Sequence, residues 1–154
     1  MVARTLKSNL AREFNLQDAN IGDDKDRSLW SIGYYVGSVG KASKKAAERY
    51  INDQGEHHGI RNKGSREIMR WINPQRPGLG AAHVTFDLSY HVVLVTSARA
   101  DVFDEHIAPG LFEAMRDISA AKGFYIERMS LLYDHIHALV KTTPSLSIRV
   151  AFKM

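Results

Sequence analysis

There is no cysteine anywhere in the 154 residues. That excludes disulfide staples and thiolate metal sites, so any metal would have to be held by nitrogen and oxygen. No run of about 18 apolar residues occurs, which excludes an ordinary helical membrane span. The N-terminus carries no basic-then-apolar leader, and a cytoplasmic protein with no membrane partner is the expectation. There is no internal repeat and no low-complexity tract. Proline is scarce, and Pro74 and Pro77, two of only four, fall in one short stretch. With 44% hydrophobic and 25% charged residues, the composition is that of a globular chain whose length suits one domain rather than two.

The formal net charge of +4 is unevenly spread. Residues 1–76 hold 14 Lys and Arg against 9 Asp and Glu, whereas residues 77–154 hold 7 against 8. A basic half suits a polyanion-binding surface, because each phosphate contact releases counterions. It equally suits an ordinary solvated face.

Val2, Leu6, Leu10 and Phe14 recur every fourth residue, with Arg4, Lys7 and Arg12 between them, which predicts a helix over 2–14 with one narrow apolar face. The segment "SLWSIGYYVGSVG" (28–40) is aromatic, β-branched and bounded by glycine, predicting a strand over 31–39. Ser43 can cap a helix reaching about Glu56, with Gly55 and Gly59 as stops. Residues 57–80 are basic and irregular and read as a linker, with a short helix over 65–72. Residues 82–96 alternate, placing Val84, Phe86, Leu88, Tyr90, Val92 and Leu94 on one face of a long strand. His83, Thr85, Asp87, Ser89 and His91 lie on the other. An amphipathic helix over 105–121 stops at Gly123, strands over 124–131 and 133–142 follow, and Pro144 opens a final helix. These elements make an α+β protein, an antiparallel sheet with helices packed on it, in a single domain of three stretches: 1–56, the 57–80 linker and 81–154.

Within "YDHIHALV" (133–140), Ile136, Ala138 and Val140 share an apolar face, and His135 and His137 lie on the other beside Tyr133. Neighbouring imidazoles on one strand face can be hydrogen-bonded structural residues or can converge on one cation as neutral ligands. A zinc enzyme usually wants a third strong protein ligand, whereas Mg²⁺ or Mn²⁺ can complete its sphere with amide or carboxylate oxygens, water and a substrate phosphate. The three alternating histidines of the histidine-triad nucleotide hydrolases are absent, since Leu139 holds the third position.

On the helix "SKKAAERYINDQGEHHG", Ala47, Tyr50, Ile51 and Gln54 share one face. Tyr50 can be a packing residue with Gln54 as its polar edge. Alternatively, Tyr50 is a nucleophile and Gln54 supplies an amide oxygen to a metal. A free phenol titrates near about 10, so it attacks phosphate only where local charge stabilises the developing phenolate.

Four stretches together, "DHIHALV" with "TTPSLSI", "SYHVVLVT", "LWSIGYYVGSVG" and "AAERYINDQ", resemble the single-tyrosine transposases of the IS200/IS605 type. These belong to the HUH nucleases (histidine, hydrophobic residue, histidine). The resemblance covers most of the chain outside 57–80. It implies a ferredoxin-like, RRM-like HUH fold and a Mg²⁺ or Mn²⁺ ion held by His135, His137 and Gln54. It also implies Tyr50 as the nucleophile on single-stranded or hairpin DNA, a 5′-phosphotyrosine intermediate with a free 3′-OH, and a homodimer in which the tyrosine helix completes the partner's site. Arg4, Lys7, Arg12, Lys44, Lys45 and Arg49 are candidates for holding the DNA.

The order of motifs departs from the family. There the histidine motif precedes the tyrosine helix, whereas here "YINDQ" comes first. Reading Met154 into Val2 restores one continuous amphipathic helix, so the sequence looks like a circular permutant rejoined through 57–80, and its two end helices are expected to abut. Two rival functions stay open: a non-catalytic nucleic-acid-binding module, and a relaxase- or replication-initiator-like nuclease of the same HUH group.

Overall fold

The computed structural model describes residues 7–8, 10–12, 29–52, 67–74, 80–81, 84–85 and 88–144, with backbone alone at 41–43, 80–81 and 84–85. Its elements in chain order are β1 (Tyr35–Val39), α1 (Lys41–Asn52), β2 (Glu67–Ile72), β3 (Gly80–Ala81), β4 (Val84–Thr85), β5 (Leu88–Val95), α2 (Ile107–Lys122), β6 (Tyr125–Leu132) and β7 (His135–Thr142). A 3₁₀ turn over Ser97–Arg99 follows β5. The architecture is α+β, as the patterning predicts. Five strands form one sheet in the order β1-β5-β7-β6-β2, every neighbouring pair antiparallel. Among the described residues no helix is long and apolar enough to cross a membrane.

The sheet is covered on both faces, and this decides where the site lies. On one face Val92, Leu94, Ile136, Ala138 and Val140 meet Ala108, Leu111, Phe112, Met115 and Ile118 of α2 in the main core. The ends of α2 are set by local chemistry. Asp104 Oδ1 accepts from the backbone N–H groups of His106 (2.9 Å) and Ile107 (3.0 Å), neutralising orphan donors of the first turn. At the other end Gly123 takes a left-handed conformation (φ 74°), and Phe124 N–H reaches Ser119 C=O at 3.1 Å. Only a residue without Cβ enters that conformation cheaply, which is why the helix stops there. On the opposite face α1 lies across the sheet, and Val39, Ile51 and Leu139 form a second small core with Ala47 against it.

Several sequence expectations are corrected. Of the short helix expected over 65–72, the described residues 67–72 are instead a strand: "EIMRWI" is the edge strand β2, paired to β6 through contacts such as Trp71↔Met129. The available edge of β6 outweighs the helical propensity of so short a stretch. The long strand over 82–96 is divided. Val84–Thr85 pairs back on Gly80–Ala81, and β5 begins at Leu88. The strand expected over 31–39 begins at Tyr35, because Trp30 makes an isolated bridge to Thr96, packs on Phe103 and donates from Nε1 to Lys7 C=O at 2.9 Å. The first helix is helical at 7–8 and 10–12, with Leu10 in the main core. The rest of it, the final helix and the proposed abutment of the two ends lie outside the described residues.

In β6 the apolar positions slip from Ile126 to Met129 and Leu131. The pairing with β7 slips with them: Ile126 faces Val140, yet Arg128, not Glu127, faces Leu139. This is a β-bulge with Glu127 as the extra residue. Its effect is to send two consecutive charged side chains, Glu127 and Arg128, toward α1.

Candidate active site

β7 is the central strand, so both of its faces are buried, and His135 (8% exposed) and His137 (4%) lie under cover of the rest of the fold. The register places Val93 opposite His137 and Val95 opposite His135, with His91 one position along, opposite Leu139. Residues opposite one another share a face, and so do residues two apart on a strand. Three imidazoles therefore gather on the α1 face. His91 and His137 stack with centroids 5.1 Å apart, and His91 Nε2 lies 2.9 Å from His137 Nδ1. His135 meets His137 edge-on at 4.8 Å.

Each histidine of the HxH pair is oriented through Nδ1. For His137 the partner is His91. For His135 it is the carboxylate of buried Asp134, the preceding residue. Asp134 is held in turn: its Oδ2 lies 3.6 Å from Arg99 Nη1, and its C=O accepts from both Thr96 N–H and Thr96 Oγ1–H at 2.9 Å. Ala98 and Arg99 sit at φ 54° and 52°, a left-handed conformation uncommon for residues with a Cβ, so the turn that brings Arg99 to Asp134 stores backbone strain.

Tyr50 comes to this cluster from α1 of the same chain. Its ring meets His137 edge-on at 5.6 Å and His91 at 5.8 Å, while 41% of the residue is exposed. The geometry follows from helical spacing. Ala47 and Ile51 face the sheet, Tyr50 hangs over β5 and β7 on one flank, and Lys44, Glu48 and Asn52 line the other flank over β6. Tyr35 on β1 meets His91 from the far side at 6.0 Å and is exposed.

The structure thus brings Tyr50, His135 and His137 together. Gln54 and Arg4 lie outside the described residues. Of the remaining basic candidates, Lys45, Arg49 and Arg12 are exposed. Lys44 is engaged by Glu127 at 3.1 Å. Lys7 donates to the C=O groups of Ser31 and Gly33, both at 2.7 Å, and sits over the Tyr34 ring. Two participants are absent from the sequence-level site, His91 and Asp134. Asp134 precedes the motif directly. His91 stood on the polar face of its strand, but only the β5–β7 register reveals that this face adjoins His137.

A family model for IS200-like transposases matches residues 1–54 and 84–153. The chain belongs to that family. Over 63 residues it is 33% identical to the ISDra2 transposase TnpA of Deinococcus radiodurans, an alignment covering 41% of this chain and 45% of that protein. A crystal structure assigned as a transposase from Deinococcus radiodurans R1 aligns at 26% identity over 47% of this chain and 58% of the other, with a TM-score of 0.40. The chain therefore spans about half the length of the curated relative it matches.

In this transposase-family chain, burial lowers the pKa of His91 from its ordinary 6.5. The sign follows directly. Below about pH 6.5 the unfolded chain takes a proton at this position while the folded chain resists it, so stability is complete above that pH and declines as pH falls toward the lowered value. Tyr35, Tyr50 and His137 face the ring. A His91→Phe variant is expected to show a shallower acid-side loss of stability than the parent, measured by urea denaturation at a series of pH values. Parallel curves would refute the assignment.

Proposed function

We propose that this chain is a metal-dependent transferase that cuts and rejoins single-stranded DNA. Tyr50 is the nucleophile, and His135, His137 and Gln54 are the ligands of a Mg²⁺ or Mn²⁺ ion. The single observation that carries this reading is the placement of the Tyr50 ring edge-on against His137, on the face where both motif histidines lie. The donor set fits a hard divalent ion. Both imidazoles have Nδ1 engaged, by Asp134 and by His91, an arrangement that fixes the ring and directs Nε2 to a ligand. Among the described residues no three His, Asp, Glu or Cys side chains are grouped to hold a metal by themselves. Two histidines would then need an oxygen donor from elsewhere, which is the part assigned to Gln54.

When bound, such an ion would neutralise charge on the scissile phosphate. The chain's own residues do the rest. His91, accepting from His137 Nδ1–H, keeps His137 in the tautomer that presents a lone pair at Nε2. Asp134 does the same for His135. The Tyr50 oxygen forms the bond to phosphorus as the bond to the 3′-oxygen breaks. The phenol gives up its proton and the 3′-oxygen takes one, leaving a 5′-phosphotyrosine and a 3′-OH. The new ester conserves the energy of the old, so rejoining needs no ATP. Exposed Lys45, Arg49 and Arg12 are suited to track the DNA backbone.

The test is a covalent-adduct gel. Wild-type protein, Mg²⁺ or Mn²⁺ and labelled single-stranded DNA carrying the element's ends should give a shifted protein–DNA band. Binding without any adduct would favour the non-catalytic module. Cleavage that ignores flanking hairpins would favour a relaxase- or initiator-like nuclease.

We also propose the permuted order of the family's parts, with 57–80 bridging the joint. The family match falls into two blocks on either side of 55–83, which supports it. A rearranged chain, with residue 154 fused to residue 1 and new ends opened within 57–66, should fold with the same thermal midpoint and form the adduct at the same rate. Failure to fold would refute the permutation. A homodimer remains the expectation from the resemblance, and within the single chain Tyr50 lies beside His137.

A further inference from the structure

The flank of α1 opposite Tyr50 meets charges buried where no apolar packing demands them. Glu127 (5% exposed) and Arg128 (6%) are consecutive on β6, and the bulge turns both toward α1. Glu127 Oε2 lies 3.1 Å from Lys44 Nζ and 3.9 Å from Lys141 Nζ. Arg128 Nη1 donates to Asn52 Oδ1 at 2.9 Å, and its Nη2 lies 3.7 Å from Glu48 Oε1. Lys44 and Glu48 lie 4.0 Å apart, closing a continuous network. Lys44, Glu48 and Asn52 are spaced four apart, so each successive turn of α1 is tied to the same two residues of one strand.

Among the described residues the apolar contact beneath α1 is small: Val39, Ile51 and Leu139 with Ala47. Such a patch lets a helix rock or slide, because apolar contact is not directional. The Arg128 contacts are directional. A planar guanidinium reaching two different turns of the helix fixes both its rotation and its position along the sheet. Rotation of α1 about its axis is the movement that would carry Tyr50 away from His137.

We propose that the Glu127–Arg128 bulge pair is a positioning device for the tyrosine helix, fixing its rotation so that Tyr50 stays on the histidine pair. The proposal rests on the reading of Tyr50 as the nucleophile. Neither Glu127 nor Arg128 touches the reacting atoms; they act through α1.

Because the natural chain has no cysteine, Ala46→Cys on α1 and Glu113→Cys on α2 give a protein with two label sites only. Spin labels there report the place of α1 relative to the rest by pulsed EPR. The parent should give one narrow distance distribution. Arg128→Met should broaden it and lower the single-turnover rate of adduct formation by about 10- to 100-fold, with the DNA concentration for half-maximal rate unchanged within twofold. Should Arg128→Met fail to fold, the helix-side variant Lys44→Met with Glu48→Gln decides on the same two readouts. A rate within twofold of the parent overturns the proposal, whatever the distances do, and so does a fall in rate with distances unchanged. If the parent itself forms no adduct, the reading of Tyr50 fails. The EPR arm then still decides whether the pair fixes the helix.

Discussion

Tyr50→Phe is expected to abolish the covalent protein–DNA adduct while leaving the protein folded and able to bind DNA. The substitution removes one oxygen. The ring keeps its edge-on contacts with His91 and His137, and the residue is 41% exposed, so stability should change by no more than about 0.5 kcal/mol. Binding should change little, because a phenyl ring presents nearly the same surface to a base or sugar. The chemical step should fall by at least about 10⁴-fold, or roughly 5.5 kcal/mol in the barrier, as when a covalent nucleophile is lost elsewhere. The measurement is the adduct band and its rate constant, alongside the thermal midpoint and oligonucleotide affinity. The structure supplies its own control. Tyr35 also meets His91 edge-on, at 6.0 Å, and is more exposed than Tyr50, but it sits on β1 against His91 rather than on α1 against the motif pair. An adduct that survives Tyr50→Phe and vanishes in Tyr35→Phe would move the nucleophile to β1 and refute the assignment.

What the sequence disclosed and what it withheld follow from the range of the forces involved. Alternation along 133–142 placed Ile136, Ala138 and Val140 on the core side and the two histidines on the other, because period-2 patterning is local and one face of the strand must be apolar. It could not show that the second face is buried as well. That depends on α1 crossing the sheet and on Leu139 meeting Ile51 and Val39, contacts between distant parts of the chain. Tyr50 was separable from its neighbours by helical spacing, but its place over the histidines required the order β1-β5-β7. The same holds for His91. Its face was readable, whereas its neighbour was set by a register that no local signal specifies. The edge strand β2 was missed for a different reason. The segment carries no clean alternation to read: with a bulge between Glu67 and Met69, Ile68 and Trp71 both pack against the core while Met69 and Ile72 are exposed, and pairing with β6 decides the outcome. The bulge at Glu127 was visible in principle, since the apolar spacing in "YIERMSLL" changes from three to two. It gains meaning only with α1 above it.

His137→Ala is expected to remove measurable affinity for Mn²⁺, and the comparison with His91→Phe tests how the site is built. If His137 is a ligand, its loss leaves one imidazole and oxygen donors, and the dissociation constant should rise by at least about 100-fold. His91→Phe leaves both proposed ligands in place and removes only the partner of His137 Nδ1. Loss of such an orienting group typically weakens a metal site by about 10- to 100-fold, so this variant should fall between the parent and His137→Ala. Stability should fall in both variants. Truncation of the almost wholly buried His137 leaves a cavity against the stacked His91, whereas a phenyl at position 91 fills the space but removes the acceptor of the buried His137 Nδ1–H, each costing about 1–3 kcal/mol. Counting free Mn²⁺ by EPR in the absence of DNA separates metal binding from catalysis, and urea denaturation supplies the stability. Unchanged Mn²⁺ binding in His137→Ala would end the claim that the histidine pair holds the metal. Equal losses in the two variants would make His91 a third ligand rather than an orienting group. The Nε2-to-Nδ1 contact argues against that, because the His91 nitrogen that would face the ion is already committed to His137.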